Sequence, residues 1–216
     1  MKKYIENFIT EEERKEMHDW VINHKVVEPH DIPEAVRCIH DDNINEDGSI
    51  NGWSQGFCFC DTEVGLATFE YNGKDVEIDS VPQLFWDLRD RIADALEIPK
   101  AHSFMSIWRM YKGAFMRPHY DPAYPGYVTV KANICVVSPE GNQVIVGRER
   151  RDLQERSLNA MEVSLYRHEV KPVKGERINF CYGFVVPCEV LGWNIDCTRV
   201  RRSIKQWEAA ESYTVE

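Results

Sequence analysis

The hydrophobic and polar positions near the start of the chain predict a helix with Trp20 and Val21 on one face. Thr10 and Glu13 have the spacing of a capping box, in which each residue bonds the backbone N–H of the other. The pattern therefore predicts a helix that begins here and continues to about His24. The following polar stretch, NINEDGSINGWSQG, is rich in turn residues and predicts a long exposed loop.

A second helix is predicted from Ser80 and Pro82 to Pro99. The hydrophobic residues that give it one buried face are Phe85, Leu88, Ile92 and Leu96. Before it, the apolar run from Leu66 to Tyr71 leads into Asn72-Gly73 and then Val76 and Ile78, which is the signature of a β-hairpin.

Short β-rich runs separated by turn residues dominate after residue 102. They are FMSIWRMY, YVTVKANICVV, NQVIVG, MEVSLYRHEV, RINFCYGFVV and VRRSIKQW. Many short strands at this spacing predict a barrel or a double-sheet jelly roll, with the preceding helices packed on one sheet. The fold class expected is α+β, mainly β. With no repeat or linker, residues 1–216 are expected to form a single domain, with support elements in 1–101 and the jelly-roll core in 102–216.

Charge and composition narrow the classes of partner. The formal net charge of −10 disfavours nucleic acid without excluding it, since nucleic acid is usually bound by an excess of Lys and Arg. The basic clusters at 148–151 and 199–202 are interpreted as solvated loops or strand ends. Seven irregularly spaced cysteines, with no leader-like or membrane-spanning apolar run, predict a reduced, cytoplasmic protein without a membrane partner.

The most informative segment runs from Tyr111 to Asp121. A predicted strand turns at Gly113 and then presents His119 and Asp121 two positions apart. In an extended segment, residues i and i+2 point to the same side, so an imidazole nitrogen and a carboxylate oxygen can bind one metal ion. Two ligands leave the ion too open, and a third must come from another strand. A facial triad of two histidines and one carboxylate has this form.

Nearly all of the chain resembles the 2-oxoglutarate/Fe(II) oxygenase superfamily, in its prolyl-hydroxylase-like and AlkB-like branches. The similarity is carried by YIENFITEEE, by VPQLFWDLRDRIADALEI followed by FMSIWRMYKGAFMRPHYD, by GNQVIVG and by RVRRSIKQW. The resemblance implies a jelly-roll enzyme that binds Fe(II) through His119 and Asp121. It further implies that Tyr111 contacts the cosubstrate carboxylate. Arg109 departs from the asparagine of AlkB-like members, which puts an AlkB-type contact there in doubt.

The resemblance leaves the third ligand open between two placements. In the first, the segment from Tyr166 to Arg177 matches the family pattern of His, Val and Pro with an arginine nine residues after the histidine. His168 would then bind iron, and Arg177 would pair with the distal carboxylate of 2-oxoglutarate, for which a guanidinium is well shaped. His168 is also the only histidine downstream of Asp121.

In the second placement, residues 172–180 form the strand that precedes the distal ligand, and Cys188 occupies the histidine position. Arg201, or its neighbour Arg199 or Arg202, would then anchor 2-oxoglutarate. A thiolate is a competent iron ligand but invites oxidation. In this placement the chain could also be a degenerate jelly-roll binding module. The alternative interpretation of Cys188 is a small buried hydrophobic residue.

The resemblance implies a dioxygenase that uses Fe(II), 2-oxoglutarate and O2, with ascorbate as a possible reductant, and that releases succinate and carbon dioxide. The expected reaction is hydroxylation of a protein residue or small molecule. The alternatives are AlkB-like oxidation of a nucleic-acid base, a binding module, and a cupin-like metalloenzyme that does not use 2-oxoglutarate. Trp53, Tyr124 and Tyr127 either stack on a substrate ring or pack their own loops.

Overall fold

A computed structural model describes residues 2–23, 52–59, 82–100, 102–121 and 126–192. Its strands are β1 (Lys2–Ile5), β2 (Gly52–Phe59), β3 (Ser103–Met110), β4 (Met116–His119), β5 (Tyr127–Val137), β6 (Gln143–Val146), β7 (Glu149–Asp152), β8 (Leu158–Glu162), β9 (His168–Val170) and β10 (Arg177–Pro187). Helix α1 spans Glu11–Asn23 and helix α2 spans Gln83–Leu96, and a 3-10 turn at Cys188–Leu191 follows β10.

The strands form two antiparallel sheets. The major sheet has the order β1-β8-β5-β10-β3-β2 and the minor sheet has the order β4-β9-β6-β7. From β3 onwards the chain passes from one sheet to the other at every connection except the one between β6 and β7, which is the arrangement of a jelly roll. The predicted fold class, mainly β with N-terminal helices on one sheet, is confirmed.

Both predicted helices are present and pack on the outer face of the major sheet. Thr10 Oγ1 accepts from the Glu13 backbone N–H at 3.2 Å, and Glu13 Oε2 accepts from the Thr10 N–H at 2.8 Å, which completes the capping box at the start of α1. Helix α2 buries Phe85, Leu88, Ile92 and Leu96, as its periodicity predicts. The Tyr182 hydroxyl of β10 donates to the Phe85 carbonyl at 3.1 Å and fixes α2 to the sheet.

Strands β5 and β10 lie at the centre of the major sheet and are covered on both faces. Along β10, Ile178, Phe180, Tyr182 and Phe184 belong to the core under the helices. The intervening Arg177, Asn179 and Cys181 line the space between the two sheets. This alternation sends the polar side chains of a strongly apolar strand into one cavity.

Some sequence-based boundaries differ from the structure. The run MEVSLYRHEV, predicted as one strand, contains the end of β8, a turn and then β9, because the chain crosses there from the major to the minor sheet. Residues 52–56, predicted as the end of an exposed loop, pair with β3 as part of β2. The basic segment at 148–151 belongs mainly to β7, at the edge of the minor sheet.

Several predicted features lie outside the described residues. They are the hairpin at 66–78, most of the loop at 43–56, the closing strand at 199–207 and the residues Tyr124, Arg199, Arg201 and Arg202.

Candidate metal centre

The two histidines of the candidate centre lie opposite each other on paired strands. Strand β4 pairs with β9 in a register that sets His119 directly across from His168, and their ring centroids are 4.2 Å apart. Asp121 follows the end of β4, where its backbone N–H donates to the Val163 carbonyl at 3.2 Å. Pairing of two short strands thus brings together residues that are about fifty positions apart in the sequence.

One carboxylate oxygen faces both rings. Asp121 Oδ1 lies 3.3 Å from His119 Nε2 and 3.6 Å from His168 Nε2. The ligand atoms of all three side chains lie within 4.8 Å of one another, and among the described residues this is the one group of His, Cys, Asp and Glu that meets that criterion.

The other ring nitrogens are held by the backbone. His119 Nδ1 lies 2.7 Å from the Arg117 carbonyl oxygen, and His168 Nδ1 lies 3.2 Å from that of Tyr166. A carbonyl oxygen can only accept, so each Nδ1 carries a proton and each ring directs Nε2 towards Asp121. Metal-binding histidines are commonly oriented by contacts of this kind.

The protonation states suit a cation. Burial lowers the pKa of His168 to about 4, an effect that the negative charge of Asp121 only partly offsets. Burial acts to raise the pKa of Asp121, but Lys131 and the two histidines hold it well below its ordinary value. At neutral pH, a carboxylate oxygen and a neutral imidazole nitrogen therefore face each other with no proton between them.

This donor set fits a divalent first-row transition metal. Two imidazole nitrogens and one carboxylate oxygen on one side of an ion form the facial triad, which leaves the opposite coordination positions open. The Asp121 carboxylate and the neutral His168 ring direct electron pairs towards the same point, where a cation is electrostatically favoured.

A cavity between the two sheets extends from His168 to Arg177. Its walls also include Trp108, Met116, Lys131, Asn133, Val144, Val170, Asn179 and Cys181. Arg177 is 4% exposed, and its Nε has no hydrogen-bond partner among the described residues. Its Nη1 lies 3.1 Å from the Met110 sulfur, and Nη2 lies 2.8 Å from Asn179 Oδ1 when that amide oxygen faces the guanidinium.

Arg177 therefore has buried donor capacity that the protein does not use. Charged groups are rarely buried without an ionic partner, and a guanidinium with an unpartnered N–H is suited to a carboxylate ligand. Burial lowers the pKa of Arg177, and the side chains that partly offset this effect are the thiols of Cys135 and Cys181 rather than a carboxylate.

The remaining predicted site residues have other surroundings. Tyr111 does not line this cavity; its ring lies 5.4 Å from the guanidinium carbon of Arg109, which is paired with Glu176 at 2.7 Å. Cys188 lies in the 3-10 turn after β10, fully buried in the core under the helices, and it is not part of the histidine–aspartate group. Tyr127 is exposed at the start of β5.

Lys131 is a site residue that the sequence-based reasoning missed. Its ammonium lies 2.5 Å from Asp121 Oδ2, and its side chain lines the same cavity as Arg177. The run YVTVKANICVV contained a usable signal, because Lys131 and Asn133 are polar residues at alternating positions of an otherwise apolar strand. Such positions on a central strand face a polar cavity or a partner.

Among the described helices, none is both long and apolar enough to cross a bilayer.

Comparison by sequence gives no match: neither a protein-family model nor a curated protein is similar enough to this chain to be recognised.

Comparison by structure gives clear matches. A collagen prolyl hydroxylase of Paramecium bursaria Chlorella virus-1, solved with 2-oxoglutarate, is 13% identical, has a TM-score of 0.54 and covers 86% of this chain and 96% of its own. HygX of Streptomyces hygroscopicus, with nickel and 2-oxoglutarate bound, is 10% identical, with a TM-score of 0.53 and coverage of 86% and 82%.

A prolyl hydroxylase of Trichoplax adhaerens, in complex with a peptide of the hypoxia-inducible factor, is 12% identical, with a TM-score of 0.53 and coverage of 88% and 86%. At this level of identity the likeness concerns the fold. The chain has the double-stranded β-helix fold of 2-oxoglutarate oxygenases, as the sequence resemblance implies.

Proposed function

We propose that this protein is a 2-oxoglutarate-dependent dioxygenase that binds Fe(II) through His119, Asp121 and His168. The observation that carries the proposal is one cavity with two features that belong together. One wall of the cavity is His168, whose Nε2 converges with the ligand atoms of His119 and Asp121, and another is the buried Arg177, whose Nε has no hydrogen-bond partner among the described residues. A metal ion and a dicarboxylate would satisfy both.

Three groups of residues would bind the metal, bind the cosubstrate and exclude water from the site. His119, Asp121 and His168 would hold the iron, and Arg177 would bind the distal carboxylate of 2-oxoglutarate. Bound iron would supply activation of O2 and oxidative decarboxylation of 2-oxoglutarate to succinate and carbon dioxide. Met116, Val144 and Val170 would keep bulk water from the cosubstrate, because they form apolar walls of the cavity.

The substrate class proposed is a protein residue or a small molecule. The similar enzyme from Trichoplax binds a protein peptide, and two similar proteins were solved with 2-oxoglutarate. The net charge of −10 argues against an alkylated base as the preferred substrate. The alternative of a binding module without turnover depended on Cys188 as a metal ligand. The burial of Cys188 in the core under the helices argues against that role.

The first test measures the two ligands separately by calorimetry. The wild-type protein, freed of metal with a chelator, is titrated with Mn2+ and then, at saturating Mn2+, with 2-oxoglutarate. His168→Ala should weaken Mn2+ binding by at least about 100-fold, since even the loss of an outer-shell partner of a metal ligand costs 10–100-fold. Arg177→Met should weaken 2-oxoglutarate binding by about 100-fold, because it removes a buried charge-assisted pair, and should leave the Mn2+ site intact.

Arg150→Met is the matched control, since it removes an exposed arginine of β7. Absence of Mn2+ binding by the wild-type protein would disprove the proposal. Equal 2-oxoglutarate affinities for the wild-type and Arg177→Met proteins would disprove the role of Arg177.

The second test concerns turnover. Wild-type protein with Fe(II), 2-oxoglutarate, O2 and ascorbate is incubated with a peptide library, a set of free amino acids and an alkylated oligonucleotide, and succinate is measured by mass spectrometry. Stimulation of succinate release together with a gain of one oxygen atom in a peptide or amino acid supports the proposed reaction. Stimulation by the oligonucleotide alone would support the AlkB-like alternative. Binding of both ligands without succinate in any mixture would favour a binding module.

A further inference from the structure

Lys131 links the two sheets at the metal centre. It projects from β5 of the major sheet, whereas His119 and His168 belong to the minor sheet. Its Nζ lies 2.5 Å from Asp121 Oδ2, and the two side chains are 20% and 10% exposed. Such an ion pair is partly desolvated, so its Coulomb energy is screened less than that of a surface pair.

The pair divides the Asp121 carboxylate between two partners. Oδ2 is bound by the ammonium of Lys131, and Oδ1 is the oxygen that faces both imidazoles. A metal held by Oδ1 would therefore be bound by one oxygen, with a fixed positive charge on the other side of the same carboxylate.

Lys131 and Arg177 also give the cavity wall two positive charges. Arg177 has no carboxylate partner among the described residues, and Lys131 is paired with Asp121. Two positive charges beside the site repel a divalent metal ion and attract a dicarboxylate anion. They therefore lower the affinity for the metal and raise the affinity for the dicarboxylate.

Resting on the proposed function, we propose that Lys131 lowers the affinity of the centre for its metal and raises its affinity for 2-oxoglutarate. This role differs from that of a side chain that only orients Asp121. If Lys131 only oriented Asp121, its removal would weaken metal binding. Because the cosubstrate binds beside the metal, the affinity for 2-oxoglutarate would not increase either. Loss of the charge should instead strengthen one ligand and weaken the other.

The test is calorimetric titration at constant pH and ionic strength. In Lys131→Met, the dissociation constant for Mn2+ should fall by at least about tenfold, and that for 2-oxoglutarate at saturating Mn2+ should rise by at least about tenfold, since a unit charge has been removed from a partly desolvated site. Lys131→Arg keeps the charge and should restore both constants to within a few-fold of wild type. Lys15→Met is the control, because Lys15 makes an ion pair of the same 2.5 Å length with Asp19 on the solvent-exposed face of α1.

The outcomes separate this inference from the proposed function. Opposite changes in the two constants, reversed by arginine, support it. If the wild-type protein binds both ligands and Lys131→Met weakens both, strengthens both or changes neither, the charge role is wrong while the oxygenase proposal remains. If the wild-type protein binds no Mn2+, both proposals are wrong.

Discussion

Burial of His168 should make the metal-free protein lose stability as the pH falls towards 5. The folded-state pKa of His168 is about 4, against about 6.5 for an exposed histidine, because burial penalises the charged ring. Between these two values the unfolded chain binds a proton at this position and the folded chain does not. The free energy of unfolding must therefore decrease as the pH is lowered through this window.

The two pKa values give the size of the effect. Proton binding to the unfolded state alone lowers the free energy of unfolding by about 2 kcal/mol between pH 7 and pH 5, and by about 3 kcal/mol at pH 4. Asp121 does not contribute in the upper part of this window. Its folded-state pKa is depressed, so the stability it provides is present above pH 4 and is lost only as the pH falls through that depressed value.

The assay is urea denaturation with a chelator present at pH 5, 6 and 7, on wild type and His168→Gln. Glutamine does not titrate, so the variant should lose about 2 kcal/mol less than wild type over this range. His18→Gln, in half-buried α1, is the control for removal of a histidine as such. If wild type and His168→Gln show the same pH dependence, His168 is not held neutral by burial and the electrostatic account of the centre is wrong.

Three further substitutions test the fold around the site by chemical denaturation. Cys188→Ala should lower the free energy of unfolding by about 1–2 kcal/mol, because it leaves a small cavity in the core under the helices, and should leave Mn2+ affinity unchanged. A loss of Mn2+ binding would instead support the thiol as a metal ligand. Gly183→Ala should lower the free energy of unfolding by about 1–3 kcal/mol, because its Cβ would lie 2.0 Å from Cζ of Phe104. If this clash is the cause, the additional substitution Phe104→Leu should recover part of the lost stability. Thr10→Ala should cost about 1 kcal/mol by removing the cap of α1, whereas an unchanged denaturation midpoint would show that the capping box adds nothing.

The helices were predictable because their signals are local. The capping box at Thr10 and Glu13 and the four apolar residues on one face of α2 are patterns within one or two turns, and the structure contains both. Even there the end of α2 differs. Glu97 adopts a left-handed conformation with φ of 57°, which ends the helix at Leu96 before the chain reaches Pro99.

The strands were predictable as a class but not in their boundaries. The run MEVSLYRHEV is continuously β-prone, yet Leu165 and Tyr166 donate backbone N–H groups to the Glu162 carbonyl and form a turn inside it. Propensity describes each residue in its own segment, whereas the choice of sheet depends on partners elsewhere in the chain. The sequence pattern therefore could not locate the crossing between sheets.

The competition between His168 and Cys188 has the same origin. Both follow β-prone residues, and each fits a different assignment of strands to the resemblance. What separates them in the structure is pairing at long range: β9 lies beside β4 and sets His168 opposite His119, while β10 continues to Pro187 and carries Cys188 away into the core under the helices. Lys131 reaches Asp121 from the opposite sheet by the same long-range packing. The candidate metal ligands could be named from the sequence one at a time, whereas Lys131 was missed. Which of them come together depends on the order of strands in the two sheets, and that order favours His168 as the third ligand.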